Sequence, residues 1–150
     1  MFLYIGADHK GFDLKEQLKK MLADQGYQPQ DLGNLEKDLN DDYVDFARAV
    51  AEKVAASGGE ARGIVICGSG AGVDITANKV DGVRSVLGVS TDQVFDARQD
   101  DDVNVLALGA NFTEPIMAFN MIKILLSTPF LGEEKHRRRL DKLADIEKAQ

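Results

Sequence analysis

Short β-rich apolar runs alternate with longer stretches of helical periodicity along this chain, and that alternation constrains its fold more than any other feature. The strand-like runs are Phe2–Ile5, a weaker Gln28–Leu32, Gly63–Cys67, Ser85–Val89 and Val105–Leu108. Helical patterns follow at Phe12–Gln25, Tyr43–Ser57, Ala71–Asn78, Asp92–Asp100 and Glu114–Leu126, with a charged C-terminal helix near Glu134–Lys148. Runs such as Gly63-Ile64-Val65-Ile66-Cys67 and Asn104-Val105-Leu106-Ala107-Leu108 are almost continuously apolar, as central strands covered by helices on both faces must be. The pattern predicts an α/β chain. Its expected form is a single Rossmann-like three-layer αβα domain over residues 1–150, with a five-stranded parallel sheet and an added C-terminal helix.

Local punctuation agrees with these boundaries. Gly26 and the pair Gly58-Gly59 stand just past two helical patterns, where a left-handed residue closes a helix. Pro115 falls in the first turn of another, where its missing N–H costs nothing. The polar stretch Asn34–Asp42 reads as a loop, and no repeat, low-complexity segment or change of composition marks a second domain.

Charge and composition exclude several function classes. The formal net charge is −7, which argues against nucleic acid, since phosphate backbones reward basic surfaces. One local cluster, Lys135-His136-Arg137-Arg138-Arg139, reverses that sign and keeps a small anionic ligand open; alone, such a run is usually a solvated helix face. No apolar run approaches the ~20 residues of a membrane helix, and no basic leader precedes an apolar segment at the N-terminus. Cys67 is the only cysteine, so no internal disulfide forms, and a cytoplasmic location is expected.

In open α/β sheets ligands gather beyond the carboxyl ends of the strands, and the unusual residues of this chain fall there. Gly6-Ala7-Asp8-His9-Lys10-Gly11 follows the first strand, and Cys67-Gly68-Ser69-Gly70-Ala71-Gly72 follows the third and opens a helix. The glycine-rich turn lets backbone N–H groups approach an anion, although plain strand-to-helix geometry asks for the same glycines, and the spacing is not that of a dinucleotide fingerprint. Cys67 is either an inert buried hydrophobe or, beside those donors, a thiol that moves a proton. His9 at a strand end is a candidate ligand contact or merely a hydrogen-bonded side chain. The run Asp100-Asp101-Asp102 reads as a solvated loop just before the fifth strand. Metal ligation has no spacing to support it, with one cysteine and two distant histidines. Gly68-Ser69-Gly70 lacks the elbow of a serine hydrolase.

These fragments together form a known pattern. With Asp42-Tyr43, Ala77-Asn78-Lys79, Gly82-Val83-Arg84, Asn104–Gly109 and His136-x-x-Arg139 in the same order, the chain resembles the family of ribose-5-phosphate isomerase B and the galactose-6-phosphate isomerase subunits over almost its whole length. The resemblance implies an aldose–ketose isomerase of a phosphorylated sugar, free of metal and cofactor, with its sites formed between two subunits of a homodimer; pairing of dimers into tetramers stays open. By the same resemblance Cys67 matches the base that moves a proton between two sugar carbons, and Ser69 a hydroxyl near the sugar oxygens. The backbone of Gly68, Gly70, Ala71 and Gly72 matches the hole that holds an enediolate. Asp8 and Tyr43 fall among the sugar-binding positions, while His9, Arg139 and Lys135 hold the phosphate, Lys135 standing where an arginine is usual.

Besides Lys135, four positions depart from the pattern. Asp100 and Asp101 stand where catalytic members carry His-Asn, the histidine being associated with opening the sugar ring and the asparagine with the anion hole; Asp100 is thereby a catalytic candidate and Asp101 a substrate-binding one. Glu133-Glu134 stand where glycines are usual. The expected reaction is ribose 5-phosphate to ribulose 5-phosphate by proton transfer through an enediolate. The alternatives are isomerisation of a tetrose or hexose phosphate, or a non-catalytic sugar-phosphate-binding paralogue.

Overall fold

An apolar run such as Gly63–Cys67 is stable as a strand only where both faces of its pleat are covered. The computed structural model, which describes residues 1–149, gives it that environment. Strands β1 (Phe2–Ala7), β2 (Gln30–Asp31), β3 (Ala61–Cys67), β4 (Ser85–Leu87) and β5 (Val105–Gly109) form one wholly parallel sheet in the order β2-β1-β3-β5-β4. The helices are α1 (Phe12–Asp24), α2 (Tyr43–Ala55), α3 (Ala71–Ala77), α4 (Thr91–Asp101), α5 (Pro115–Ser127) and α6 (Glu134–Lys148).

Alternation along β3 divides the core into two. Ile64 and Ile66 face one way and join Leu14, Leu18 and Leu22 of α1, Val94 of α4, and Met121 and Ile122 of α5. Val65 and Cys67 face the other way and join Val50 and Val54 of α2 and Val73 and Ala77 of α3. Each large aliphatic side chain so buried contributes about 1.5–3 kcal/mol. The three expected layers are therefore present, and α6 packs outside them against α4. Because β1 leads to an edge strand on one side and β3 lies on its other side, the chain reverses direction across the sheet between β1 and β3. The crevice that opens there, beyond their carboxyl ends, is where a ligand fits such a sheet.

The expected helix end at Gly26 has its full geometry. Gly26 has φ 83°, its N–H donates to Ala23 O, and the N–H of Tyr27 donates to Leu22 O; together these two bonds satisfy orphan carbonyls of α1. The expected strand Gln28–Leu32 shrinks to Gln30–Asp31, because an edge position next to a polar sequence has little to bury.

The helix expected to end at Asp100 runs one residue further into the run expected as a solvated loop: α4 ends at Asp101, and Asp102 is its left-handed cap with φ 48°. Acidic groups are disfavoured at a helix C-terminus. Here two guanidinium groups offset the cost: Asp102 pairs with Arg98 at 2.7 Å and with Arg84 at 2.8 Å.

Candidate active site

The turn after β1 is built by one carboxylate. Asp8 is buried, and its Oδ1 accepts the N–H groups of Lys10 (3.0 Å) and Gly11 (2.9 Å). Any Cβ at Gly11 would lie 2.6 Å from the carbonyl oxygen of Ile66, so only glycine lets this turn sit against β3. The turn after β3 is built around a sulfur. The N–H of Gly70 donates to Cys67 Sγ at 3.2 Å, and that of Ala71 to Ser69 Oγ at 3.3 Å. Gly70 has φ 80°, and a Cβ there would come within 2.5 Å of Leu87 and 2.8 Å of Gly109 N. A Cβ at Gly72 would lie 2.7 Å from the ring of Tyr43, the first residue of α2.

Both turns open onto one cleft of about 530 Å³. Of the residues singled out from the sequence, Asp8, His9, Tyr43, Cys67, Gly68, Ser69 and Gly72 line it, while Gly70 and Ala71 belong to the same turn but do not line the cleft. Such an arrangement offers a proton-accepting sulfur, a hydroxyl and backbone donors within one small space, which suits proton transfer beside a carbonyl. Asp8, His9 and Asp41 place ligand-type atoms within 4.8 Å of one another. Those atoms are already used, however: Nδ1 of His9 bonds Asp41 Oδ1 at 2.7 Å, and Asn34 holds the other oxygen of Asp41 at 2.8 Å.

Four further lining residues escape the sequence reading as site residues: Lys10, Asp41, Asp42 and Asn111. Lys10 sits inside the Asp8–Gly11 turn and, among the described residues, is the one lysine or arginine lining the cleft. Asn111 lies just past β5, where the strand-end rule would have found it. Asp41 had no local signal, since it belongs to the polar loop before α2.

One chain does not bring Asp100, Asp101, Lys135 or Arg139 to this cleft. The main-chain oxygens of Asp101 and Asp102 accept from Arg84, the residue before β4, so the end of α4 lies at the amino edge of the sheet. The four strand steps from Gly63 to Cys67, each about 3.3 Å, put the cleft on the order of 15 Å away. Asp101 instead lines a separate hollow of about 400 Å³ with Arg84, Leu143 and Ile146. Asp100 lies 3.4 Å from Nε2 of the buried His136, and Lys135 pairs with Glu133 at 3.2 Å. Lys135, Arg137, Arg138 and Arg139 are all exposed in the first two turns of α6. Cations are disfavoured at a helix start, so this cluster is a poor choice for stability and a good one for an anion.

Comparison with known proteins finds relatives over nearly the whole chain. Residues 3–143 match the family model described as Ribose/Galactose Isomerase. Ribose-5-phosphate isomerase B of Mycobacterium tuberculosis is 36% identical over 148 residues, covering 99% of this chain and 91% of that protein. A probable ribose-5-phosphate isomerase B of Mycoplasma genitalium is 40% identical over 146 residues, covering 97% and 95%. Among solved structures, ribose-5-phosphate isomerase B from Mycoplasma genitalium with bound ribulose-5-phosphate superposes with a TM-score of 0.92 at 39% identity, covering 99% of this chain and 97% of that one. The type B ribose 5-phosphate isomerase of Trypanosoma cruzi gives 0.93 at 35% identity over the full length of both. No helix among the described residues is long and apolar enough to cross a membrane. In sequence and in fold, this chain belongs to the ribose/galactose isomerase family.

Proposed function

We propose that this chain interconverts ribose 5-phosphate and ribulose 5-phosphate, with Cys67 as the base. The observation that carries the reading is the hydrogen bond from the Gly70 N–H to Cys67 Sγ, in a turn that faces the cleft with Ser69, Asp8 and His9. The relative that superposes with a TM-score of 0.92 holds the product of this reaction. In the open-chain aldose, the Cys67 thiolate takes the proton on C2, the electron pair moves into a C1–C2 double bond, and the carbonyl oxygen on C1 becomes an enediolate oxygen. As the carbonyl re-forms at C2, the hydroxyl proton on the C2 oxygen passes to the oxygen on C1, and Cys67 returns its proton to C1. Backbone N–H groups of Gly68 to Gly72 oppose the charge that develops, and being fixed they need no reorganisation. Ser69 and Asp8 contact the sugar hydroxyls, and Tyr43 closes one wall.

Phosphate is held by His9 with Lys135 and Arg139, and Asp100 and Asp101 stand over the sugar, so the proposal requires these four α4 and α6 residues to come from a second copy of the chain. Two facts support it: the basic cluster at the start of α6, and its distance from Cys67 within one chain. A homodimer in the cytoplasm, working on a small phosphorylated sugar without metal or cofactor, is the corresponding picture.

Incubation with ribose 5-phosphate in D₂O tests the reading. Deuterium should appear at C1 of ribulose 5-phosphate, and Cys67→Ala should lower kcat by about 10²–10⁴ while phosphate binding persists. Binding without exchange would make the chain a sugar-phosphate binder, and near-wild-type kcat in Cys67→Ala would remove Cys67 from the chemistry.

A further inference from the structure

We propose that Asp41 is the positioning residue for His9, holding the imidazole by Nδ1 so that Nε2 is the ring nitrogen offered to the anionic end of the substrate. The inference rests on the reading of His9 as a phosphate contact. One oxygen of Asp41 makes two bonds to one residue: Oδ1 lies 2.7 Å from His9 Nδ1 and accepts the main-chain N–H of His9 at 3.0 Å. A carboxylate only accepts, so the hydrogen between these atoms belongs to Nδ1. The neutral ring then has a bare Nε2. The protonated ring donates from Nε2, with the countercharge directly behind it, and such a charge-assisted bond to phosphate is among the stronger ones a side chain makes.

Asp41 comes from a loop with little regular structure, yet its side chain is only 6% exposed, against 23% for His9. What holds it is a chain of hydrogen bonds from the core. Lys15 Nζ, fully buried, is paired with Asp31 and donates to the carbonyl of Asn34 at 2.6 Å. The side-chain amide of Asn34 donates to Asp41 Oδ2 at 2.8 Å. Both oxygens of Asp41 are thereby fixed, one by the loop and one by the ring. The polar stretch between β2 and α2 serves as a bracket for His9 as well as a connection. A purely structural role, tying the loop to β1, would use the same contacts, and the two roles differ in what they do to the substrate.

The test compares Asp41→Ala, Asp41→Asn, His9→Ala and the Asp41→Ala/His9→Ala double variant. Asp41→Ala should raise KM for ribose 5-phosphate, and the inhibition constant of inorganic phosphate, by about tenfold, the loss of one hydrogen bond of ordinary net strength. kcat should change little. Asp41→Asn, which keeps an acceptor, should recover part of the loss. The double variant should be no worse than His9→Ala, because Asp41 acts through that ring. The chain has two histidines, so ¹H–¹⁵N ring spectra resolve them. His9 should carry its hydrogen on Nδ1 in the wild type and lose that preference in Asp41→Ala. If His9→Ala raises both constants and Asp41→Ala raises neither, the positioning role is overturned while the phosphate reading stands. Additive effects in the double variant overturn it as well. If His9→Ala changes neither constant, the phosphate reading fails, and the ring spectra decide whether Asp41 sets the tautomer.

Discussion

At the scale of single residues, Asp100 is the position where this chain asks the sharpest question of its own chemistry. Pentose phosphates exist mainly as rings, and opening one requires a proton donor near the ring oxygen. An ionised carboxylate has no proton to give, whereas the imidazole that relatives are expected to carry there does. A four-carbon aldose 4-phosphate has no comparable ring to open. The wild type should therefore turn over the tetrose phosphate better, relative to ribose 5-phosphate, than Asp100→His does, and that substitution should raise kcat/KM for ribose 5-phosphate. Measuring both substrates in both proteins decides it; wild-type turnover of ribose 5-phosphate equal to or better than that of Asp100→His removes the idea. Asp100 sits in a turn of α4 with its side chain half exposed, so the imidazole has room.

Among the elements, the joint between α1 and β2 is tied by a cluster of partly buried charges. Asp31 is bonded by Lys15 at 2.8 Å, by Lys19 at 2.7 Å and by the N–H of Gly33 at 2.9 Å. Burial works against its ionisation, but the two ammonium groups and the N–H prevail and hold its carboxyl below the ordinary value of 3.8. Lys19 is shifted in the complementary sense: burial opposes its charge, but its bonds to Asp31 and Glu16 hold its ammonium above the ordinary value. A depressed carboxylate stabilises the fold above its unfolded-state value, and that contribution is lost as pH falls through the lower folded-state value. Asp31→Asn leaves the buried Lys15 without its main partner and should cost about 3 kcal/mol near neutral pH. The loss should shrink below pH 3.8, where the wild type gives up the same interaction. Urea unfolding of both proteins across this range checks it, and a pH-independent difference would assign the effect to packing. Because Lys15 also anchors Asn34, the same variant should loosen the bracket on His9.

Across the whole molecule, the residues proposed for one site fall at opposite ends of one sheet. Strands end at Cys67 and at the Asp8–Gly11 turn, while the helices that return from β4 and β5 deliver Asp100, Asp101, Lys135 and Arg139 to the other end. A two-fold pairing that sets the start of α6 from one copy against the cleft of another would join the halves and form two equal sites. Cys67→Ala and Arg139→Ala damage different halves. Assayed well below the wild-type KM, each should be weak alone. Subunits mixed by mild unfolding and refolding should regain activity, in about one site of four, since half the dimers are mixed and each has one undamaged site. No recovery on mixing would mean that the basic cluster and Cys67 do not share a site.

Much of this fold was legible in the sequence because its causes are local. Apolar runs covered on both faces, helical periodicity, and glycines at turns whose backbone no other residue tolerates constrain neighbours along the chain, so the five strands, the helices and the N–H-rich turn at Cys67 followed from pattern alone. The resemblance added which reaction such a turn performs. What the tertiary structure decided was long-range and electrostatic. Asp41 meets His9 across 32 residues of sequence. The end of α4 ran past Asp100 to Asp101, where Arg84 and Arg98 neutralise the capping Asp102. The weak second strand was cut to two residues for want of anything to bury. Periodicity carries no record of pairs made by distant polar atoms, and it says nothing of which end of a sheet a returning helix will reach. Those were set only when the sheet closed and its charges had to find partners.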